Sequence, residues 1–334
     1  MSAVRFGVGF EHADMRRQIE YARMAERLGF SSYWVPEDYF FRGAFTVASA
    51  LACSTTSLRI GLGVVNPFTR HPALIAMEFA ALSELAPDRT VLGIGAGVGA
   101  WLDQIRVGCA SPGIAIREAV EIIRRILGGE QLSFAGKIFR TDKVALSFKP
   151  ATPRLPIYLG VLGPKNLAMA GAIADGVMLS VMTSPAYAAY ATERIRAGAQ
   201  AAGRGEQIEA GAFLLASISD DDRRARDAIK PLLAGLIALM ASQPRNPLFV
   251  AAGLDPDEVI RFGQVYASGE LPVRMVTDAM VDTFAIAGDP DRCRAALSRI
   301  IDAGITHPVF FEVPGIEGAE TIRMVHRHLM PHFL

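Results

Sequence analysis

Short apolar runs rich in β-branched residues alternate with segments of helical periodicity along most of the chain. In the first helical segment, Ile19, Ala22, Ala25 and Leu28 share one face, and Gly29 ends the pattern. Eight apolar runs predict strands, at residues 4–10, 32–35, 58–65, 90–94, 157–160, 177–180, 210–218 and 309–312. Helices are predicted at residues 15–28, 46–54, 72–85, 114–127, 166–173, 185–202, 290–303 and 319–329, with two or more in the proline-interrupted stretch 228–262.

Strands that alternate with helices favour a parallel sheet, and eight such units favour an α/β fold closed into a (β/α)8 TIM barrel. An open doubly wound sheet is the alternative. The alternation is interrupted at residues 131–148, where two β-like runs flank the turn Ala135-Gly136-Lys137 and predict a hairpin inserted after strand four. Because neither a linker-like stretch nor a repeat divides the sequence, residues 1–334 are expected to form a single domain.

Composition excludes several classes of protein. Hydrophobic residues make up 51% of the chain, and Lys+Arg and Asp+Glu each number 34, so the basic excess that drives nucleic-acid binding is missing. The apolar run at residues 232–241 is about half a membrane span, and the start of the chain lacks the pattern of a signal peptide. Cys53, Cys109 and Cys293 lie far apart, which disfavours a disulfide framework and fits a reducing cytoplasm.

The chemistry of a barrel is expected where its strands end. Five of these junctions carry glycine, small hydroxyl residues and apolar residues rather than the polar sets of hydrolytic sites, which favours a cofactor that brings its own chemistry. Residues 95–100 also satisfy the dinucleotide fingerprint G-x-G-x-x-A. They follow strand four rather than strand one, and no clear helix is predicted behind them, so a glycine loop of a barrel is favoured.

Several blocks of sequence resemble the luciferase-like monooxygenase superfamily, and most closely its deazaflavin branch, typified by methylenetetrahydromethanopterin reductase. The blocks are residues 63–72 (GVVNPFTRHP), 91–97 (VLGIGAG), 160–165 (GVLGPK), 174–177 (ADGV), 284–290 (FAIAGDP) and 302–306 (DAGIT). They span nearly the whole chain. The resemblance implies a bacterial-luciferase-like barrel with an insertion after strand four, in agreement with the predicted hairpin.

The resemblance also implies where a cofactor binds. A bulge at the end of strand three, with a non-prolyl cis peptide at Gly63-Val64, is implied to support the ring of coenzyme F420 or of a flavin. Because Gly63 has no side chain, its backbone is expected to press against that ring. Residues 160–164, which lead into a helix, are implied to bind the cofactor phosphate, and helix N-termini attract anions in general; an ordinary Gly-Pro turn is the alternative. The candidate cofactor-binding residues are Gly63, Val64, Asn66, Gly95, Ala96, Gly97, Gly160, Val161, Gly163, Pro164 and Lys165.

Ionisable residues near strand ends supply the catalytic candidates, which are Glu11, Asp38 and Tyr39. Asp38 could instead cap the segment that follows it, and His12 could be a loop residue or a proton donor. Relatives carry acids where this chain has Gly9 and Val98, so a proton relay cannot be copied from them. No metal site is predicted, because the late histidines His326, His328 and His332 lack a helical ligand spacing.

These features predict an oxidoreductase that transfers hydride between F420 and a small organic substrate. A flavin-dependent monooxygenase using FMN on the same barrel is the first alternative, and a non-catalytic flavin-binding barrel protein is the second. The sequence does not identify the substrate, and neither nucleic acid nor a membrane is an expected partner. The apolar helix at residues 232–240 suggests a homodimer face.

Overall fold

The computed structural model describes residues 4–108, 111–152, 154–205 and 208–334. Within these residues the strands are β1 (Gly7–Gly9), β2 (Ser32–Val35), β3 (Arg59–Val65), β4 (Thr90–Gly95), β5 (Leu132–Ala135), β6 (Arg140–Val144), β7 (Ile157–Gly160), β8 (Gly176–Leu179), β9 (Glu209–Ile218), β10 (Ala285–Gly288) and β11 (His307–Phe311). The helices are α1 (Met15–Arg27), α2 (Ala44–Ser54), α3 (Pro72–Leu85), α4 (Gly99–Gln104), α5 (Pro112–Leu127), α6 (Pro164–Ile173), α7 (Pro185–Ala201), α8 (Asp222–Leu239), α9 (Pro247–Ala252), α10 (Pro256–Ala267), α11 (Asp278–Phe284), α12 (Pro290–Asp302) and α13 (Gly318–His328).

The predicted barrel is confirmed. Eight of the described strands, β1 to β4, β7 to β9 and β11, pair in parallel, and β11 closes the ring between β9 and β1. These eight are the strands predicted from the sequence. An additional strand, β10, pairs with the end of β9, from Ala285 with Leu215 to Gly288 with Ile218. The sequence pattern missed β10 because it has four residues and follows α11 without a turn.

The barrel interior is filled in layers. Near the N-terminal ends of the strands, His307 is fully buried, with Nδ1 2.8 Å from Glu209 Oε1 and Nε2 2.7 Å from Ser32 Oγ. Above this polar layer the rings of Trp34 and Phe213 meet edge to face, with centroids 6.1 Å apart. The aromatic layer closes the barrel beneath the C-terminal ends of the strands, so a ligand site at that end has an apolar floor.

The predicted insertion is also confirmed. Strands β5 and β6 form an antiparallel hairpin outside the barrel. The buried carboxylate of Glu118 in α5 anchors it by accepting hydrogen bonds from the backbone N–H groups of Lys137, Ile138 and Phe139, at 2.7 to 3.0 Å. Burial raises the pKa of Glu118, but these bonds outweigh it and lower the pKa overall. The hairpin is therefore fixed to the barrel rather than free.

The segment after β9 holds more than one helix, as its prolines predicted. It holds three helices, α8 to α10, and the buried residues Leu233, Ile237 and Phe262 join a second apolar cluster in this part of the chain. Much of the apolar side of α8 is thus covered within the chain, although Leu239 is exposed, and a dimer face at residues 232–240 stays a prediction. No helix of the described residues is long and apolar enough to cross a membrane. Cys53 and Cys293 are free thiols, whereas Cys109 lies outside the described residues.

Candidate active site

Two carboxyl groups meet at the C-terminal end of the barrel. Glu11 follows β1 and Asp38 follows β2, and these two largely buried carboxyl groups lie near enough for each to shift the pKa of the other. Because the two buried carboxyl groups act on each other, ionising both is unfavourable, and the pair favours holding one proton. Burial, Asp38 and the nearby Glu312 raise the pKa of Glu11 to about 9, and burial also raises the pKa of Asp38. The structure therefore brings together two of the three predicted catalytic residues as a proton-carrying pair.

A third carboxylate borders the pair. Glu312 follows β11, and its Oε1 accepts a hydrogen bond from the backbone N–H of His12 at 2.6 Å and another from His12 Nδ1. Ligand atoms of Glu11, His12 and Glu312 lie within 4.8 Å of one another, which is close enough for a metal ion. The hydrogen bonds from His12 already explain the position of Glu312.

Tyr39, the third predicted catalytic residue, turns away from the carboxyl pair. Its hydroxyl is buried without a hydrogen-bond partner among the described residues, and burial raises its pKa. A Cβ built on Gly97 would lie 3.7 Å from the Tyr39 hydroxyl oxygen. Tyr39 therefore lies against the loops after β3 and β4, on the side predicted to hold the cofactor.

The bulge at the end of β3 is present as predicted. The β3–β4 pairing shifts register between Leu62 and Val65, and the Gly63-Val64 peptide is cis. The Val64 side chain fits against glycines of two neighbouring strands: a Cβ on Gly95 would lie 2.6 Å from Val64 Cγ2, and one on Gly160 would lie 2.6 Å from Val64 Cγ1. Gly95 and Gly160 thus hold the bulge in place by leaving room for Val64.

Gly63 has a different role from the one expected. A Cβ at this position would lie 2.7 Å from Trp34 Cε3 and 3.0 Å from Phe213 Cζ, inside the barrel. The absence of a side chain therefore lets the aromatic floor pack beneath the bulge. A large residue at Gly63 would disturb the barrel itself, so such a variant cannot test cofactor binding alone.

Asn66 shapes the loop that follows the bulge. Its Oδ1 accepts hydrogen bonds from the N–H groups of Phe68 and Thr69, each at 3.0 Å, and from the Thr69 hydroxyl at 3.1 Å. Its amide nitrogen faces Gly97, where a Cβ would approach within 3.0 Å. Asn66 thus ties the loop after β3 to the loop after β4.

The N-terminus of α6 is open. Gly163 is the N-cap residue, no side chain caps the helix, and Pro164 takes its first position. A Cβ on Gly163 would meet nothing within 4 Å, and Lys165 is exposed beside it. The first N–H groups of a helix have no partner within the helix, so this end can bind an anion. Val161, by contrast, is buried, so its side chain faces the protein.

The glycine loop after β4 is followed by a short helix that sequence reasoning missed. Helix α4 begins at Gly99, although no clear helix was predicted behind residues 95–98. The parallel closed barrel nevertheless excludes the dinucleotide-binding open sheet, because β4 lies between β3 and β7 in the ring.

A groove of about 630 Å³ lies at the other end of the barrel, where helices end and strands begin. Arg124 and Arg154 line it, and both bind Asp175, at 2.7 and 2.8 Å. It lies far from the strand ends that carry the carboxyl pair and the bulge, so it is not part of the candidate active site.

Comparison with known proteins assigns the fold to a family. The profile of the luciferase-like monooxygenase family matches residues 3–307. The chain belongs to this family. It is 31% identical to 5,10-methylenetetrahydromethanopterin reductase of Methanolobus tindarius over 97% of this chain and 99% of that protein. This chain is also 29% identical to the F420-dependent glucose-6-phosphate dehydrogenase of Nakamurella multipartita. The match covers 99% of this chain and 94% of that protein.

A solved structure is similar over the full length. The coenzyme F420-dependent tetrahydromethanopterin reductase of Methanopyrus kandleri aligns with a TM-score of 0.88 and 26% identity, covering 100% of both chains. The sequence-based assignment to the F420-dependent branch of the luciferase-like superfamily is thus confirmed.

One residue of the site escaped the sequence analysis. Glu312 was placed inside the last predicted strand, residues 309–312, whereas β11 ends at Phe311 and Glu312 stands in the junction. The signal was available, since an acid directly after a barrel strand belongs to the residues that face the site.

Proposed function

We propose that this protein transfers hydride between coenzyme F420 and a small organic substrate, and that Glu11 and Asp38 supply the accompanying proton. The relatives described above that carry a cofactor in their names are F420-dependent, which supports F420 over FMN. The observation that carries the proton-donor role is the pair of largely buried carboxyl groups at the ends of β1 and β2, because burial of neighbouring acids favours a bound proton there.

The residues of the site fit F420. The open N-terminus of α6 would bind the phosphate through backbone N–H groups of residues 165–166, with the Lys165 ammonium nearby. The bulge at Gly63-Val64, held by Gly95 and Gly160, would support the ring, and the loops at Asn66 and at residues 96–97 would border it. When bound, F420 supplies the group that accepts or donates hydride.

The protein's own residues then manage the proton and the solvent. Glu11, protonated at neutral pH, donates its proton to the substrate atom next to the carbon that gains hydride. The charge of Asp38 helps to keep this acid protonated, and the aromatic floor beneath the bulge excludes water. Tyr39 borders the cofactor side, where it orients the ring rather than moving a proton.

Binding and turnover test the function directly. The purified protein should bind F420 more tightly than FMN, as measured by fluorescence titration. Reduced F420 should be oxidised anaerobically by a substrate among those of the relatives, with 5,10-methylenetetrahydromethanopterin tried first and glucose 6-phosphate tried with oxidised F420. Tighter FMN binding with oxygen-dependent turnover would establish the monooxygenase instead, and F420 binding without turnover on any of them would favour the binding protein.

The phosphate site has its own test. Gly163→Asp places a negative charge at the start of α6, in space where a side chain meets nothing, so the fold should be kept. F420 affinity should fall about tenfold, because the carboxylate opposes the phosphate. Gly163→Asn has nearly the same shape without the charge and should bind F420 within about twofold of wild type. If F420 affinity falls equally in both variants, residues 160–165 do not bind the cofactor phosphate.

The homodimer and the cytoplasmic location remain predictions. Helix α3 exposes three apolar side chains, those of Leu74, Met77 and Leu85. We expect a second copy to cover this surface rather than residues 232–240.

A further inference from the structure

The proton of the carboxyl pair has to be replaced after every turnover, yet the pair is largely buried. The Glu11 side chain is 12% exposed, and burial is the largest cause of the raised pKa of both Glu11 and Asp38. An acid that is used once per turnover therefore needs a neighbouring group that exchanges protons with solvent.

His12 is a titratable side chain that reaches from the pair to solvent. Its side chain is 52% exposed, and its Nδ1 lies 3.8 Å from Glu11 Oε1. Its charge also acts on Asp38, whose pKa it lowers. Each imidazole nitrogen can bind or release a proton, so His12 offers a connection between the pair and solvent.

Glu312 holds the His12 side chain in place. One carboxylate oxygen of Glu312 accepts hydrogen bonds from both the backbone N–H and the ring Nδ1 of His12. The Phe41 ring packs edge-on against the imidazole, with centroids 5.1 Å apart. The ring is thus kept beside Glu11, with Nε2 as the nitrogen left for solvent.

The other titratable groups of these strand ends do not offer the same route. Glu37 is 11% exposed and bound to Arg70 at 2.9 Å, and the Tyr33 hydroxyl is buried. The Tyr39 hydroxyl is buried beside Gly97, where a Cβ would lie 3.7 Å from it. Among the described residues that act on Glu11 and Asp38, His12 is the one with a largely exposed side chain.

We propose that His12 carries protons from solvent to the Glu11–Asp38 pair and that Glu312 positions its ring for this transfer. A proton from water or a buffer acid binds Nε2, the Nδ1 proton moves to the carboxylate oxygen of Glu11, and His12 is left neutral with its proton on Nε2. Exchange with solvent then removes the Nε2 proton and returns a proton to Nδ1, which restores the starting tautomer beside Glu312. A swing of the ring by about 1 Å shortens the 3.8 Å separation to hydrogen-bonding distance. One proton enters and one leaves, and no electrons are exchanged. The inference rests on the proposed function, since that reaction consumes the proton.

A measurement without substrate or cofactor tests the route. The infrared C=O band of the protonated carboxyl pair should shift within the mixing time when wild-type protein is transferred to D2O. In His12→Asn, which keeps the backbone bond to Glu312, this exchange should slow at least about tenfold. His332→Asn, an exposed histidine near the C-terminus, is the matched control and should exchange like wild type. Equally fast exchange in His12→Asn would overturn the proposal.

Turnover provides the second readout. In His12→Asn the first turnover, which uses the stored proton, should keep its wild-type rate, while later turnovers slow about tenfold and recover with added imidazole. Glu312→Gln should give a weaker slowing of the same kind, because it loosens the ring without removing it. If no substrate is turned over, the proposed function is wrong. The infrared exchange rates still show whether His12 carries protons to the pair, because that measurement needs no substrate. A first turnover slowed as much as later ones would show that His12 acts in the chemical step instead.

Discussion

Glu11→Gln should slow substrate reduction by about 10²- to 10⁴-fold, the usual contribution of a positioned general acid, while F420 affinity stays within about twofold. Glutamine keeps the size of the side chain and can still donate a hydrogen bond to Asp38, but it cannot release a proton. Single-turnover oxidation of reduced F420 and fluorescence titration measure the two quantities separately. Equal loss of binding and turnover would place Glu11 in the cofactor site rather than in proton transfer.

The pH dependence of turnover follows from the raised pKa of Glu11. The acid works only while it is protonated, so turnover limited by this step should be constant at neutral pH and fall as the pH rises through about 9. Glu11→Gln should lack this limb. A profile that falls instead near the ordinary range of a carboxyl group would show that the pair does not hold its proton at neutral pH.

The same raised pKa affects stability, with a definite sign. Between the ordinary value of 4.5 and about 9, the folded state binds a proton at Glu11 that the unfolded state has released, so stability falls as the pH rises through this window. Glu11→Gln removes this dependence. The variant should therefore be at least as stable as wild type at pH 8, which separates a catalytic loss from a folding defect in the same preparation.

The barrel was predictable because the sequence repeats one physical pattern. Each buried parallel strand reads as an apolar run, and each helix shows a 3.6-residue period, so eight strands and most helices stand out. The elements that escaped are short: β10 has four residues, and α4 has six. In such short segments periodicity cannot distinguish a strand or a helix from a loop.

The site was predictable only in part, because residues distant in sequence meet there. The glycine-rich strand ends, together with the sequence blocks that resemble the superfamily, predicted the bulge at Gly63-Val64 and the candidate phosphate site at residues 160–164. The pairing of Glu11 with Asp38 depends on β1 and β2 being neighbours in the barrel, and the place of Glu312 depends on β11 closing beside β1. Gly63 was predicted from the sequence as a residue of the bulge. The sequence did not reveal that a side chain at this position would meet Trp34 and Phe213 inside the barrel.

Gly160→Ala should weaken F420 binding by about 10- to 100-fold, corresponding to the 1–3 kcal/mol of overpacking strain in a tight interior. The added methyl group would lie 2.6 Å from Val64 Cγ1, so the Val64 side chain has to move, and the bulge that supports the ring moves with it. The barrel should still fold, because the clash is with a side chain that is partly exposed. Fluorescence titration with F420 and a thermal melt measure the two effects.

Val64→Ala in the Gly160→Ala background distinguishes this account from a general disturbance of the site. Shortening Val64 removes the methyl group that clashes, so the double variant should regain most of the lost affinity, whereas Val64→Ala alone should bind F420 only slightly more weakly than wild type. Gly95→Ala is a harsher change, since its methyl group would also approach the Gly160 carbonyl oxygen within 2.9 Å, and Val64→Ala should rescue it less. A double variant as weak as Gly160→Ala would mean that the glycine serves the cofactor directly, through its own backbone, and not through the position of Val64.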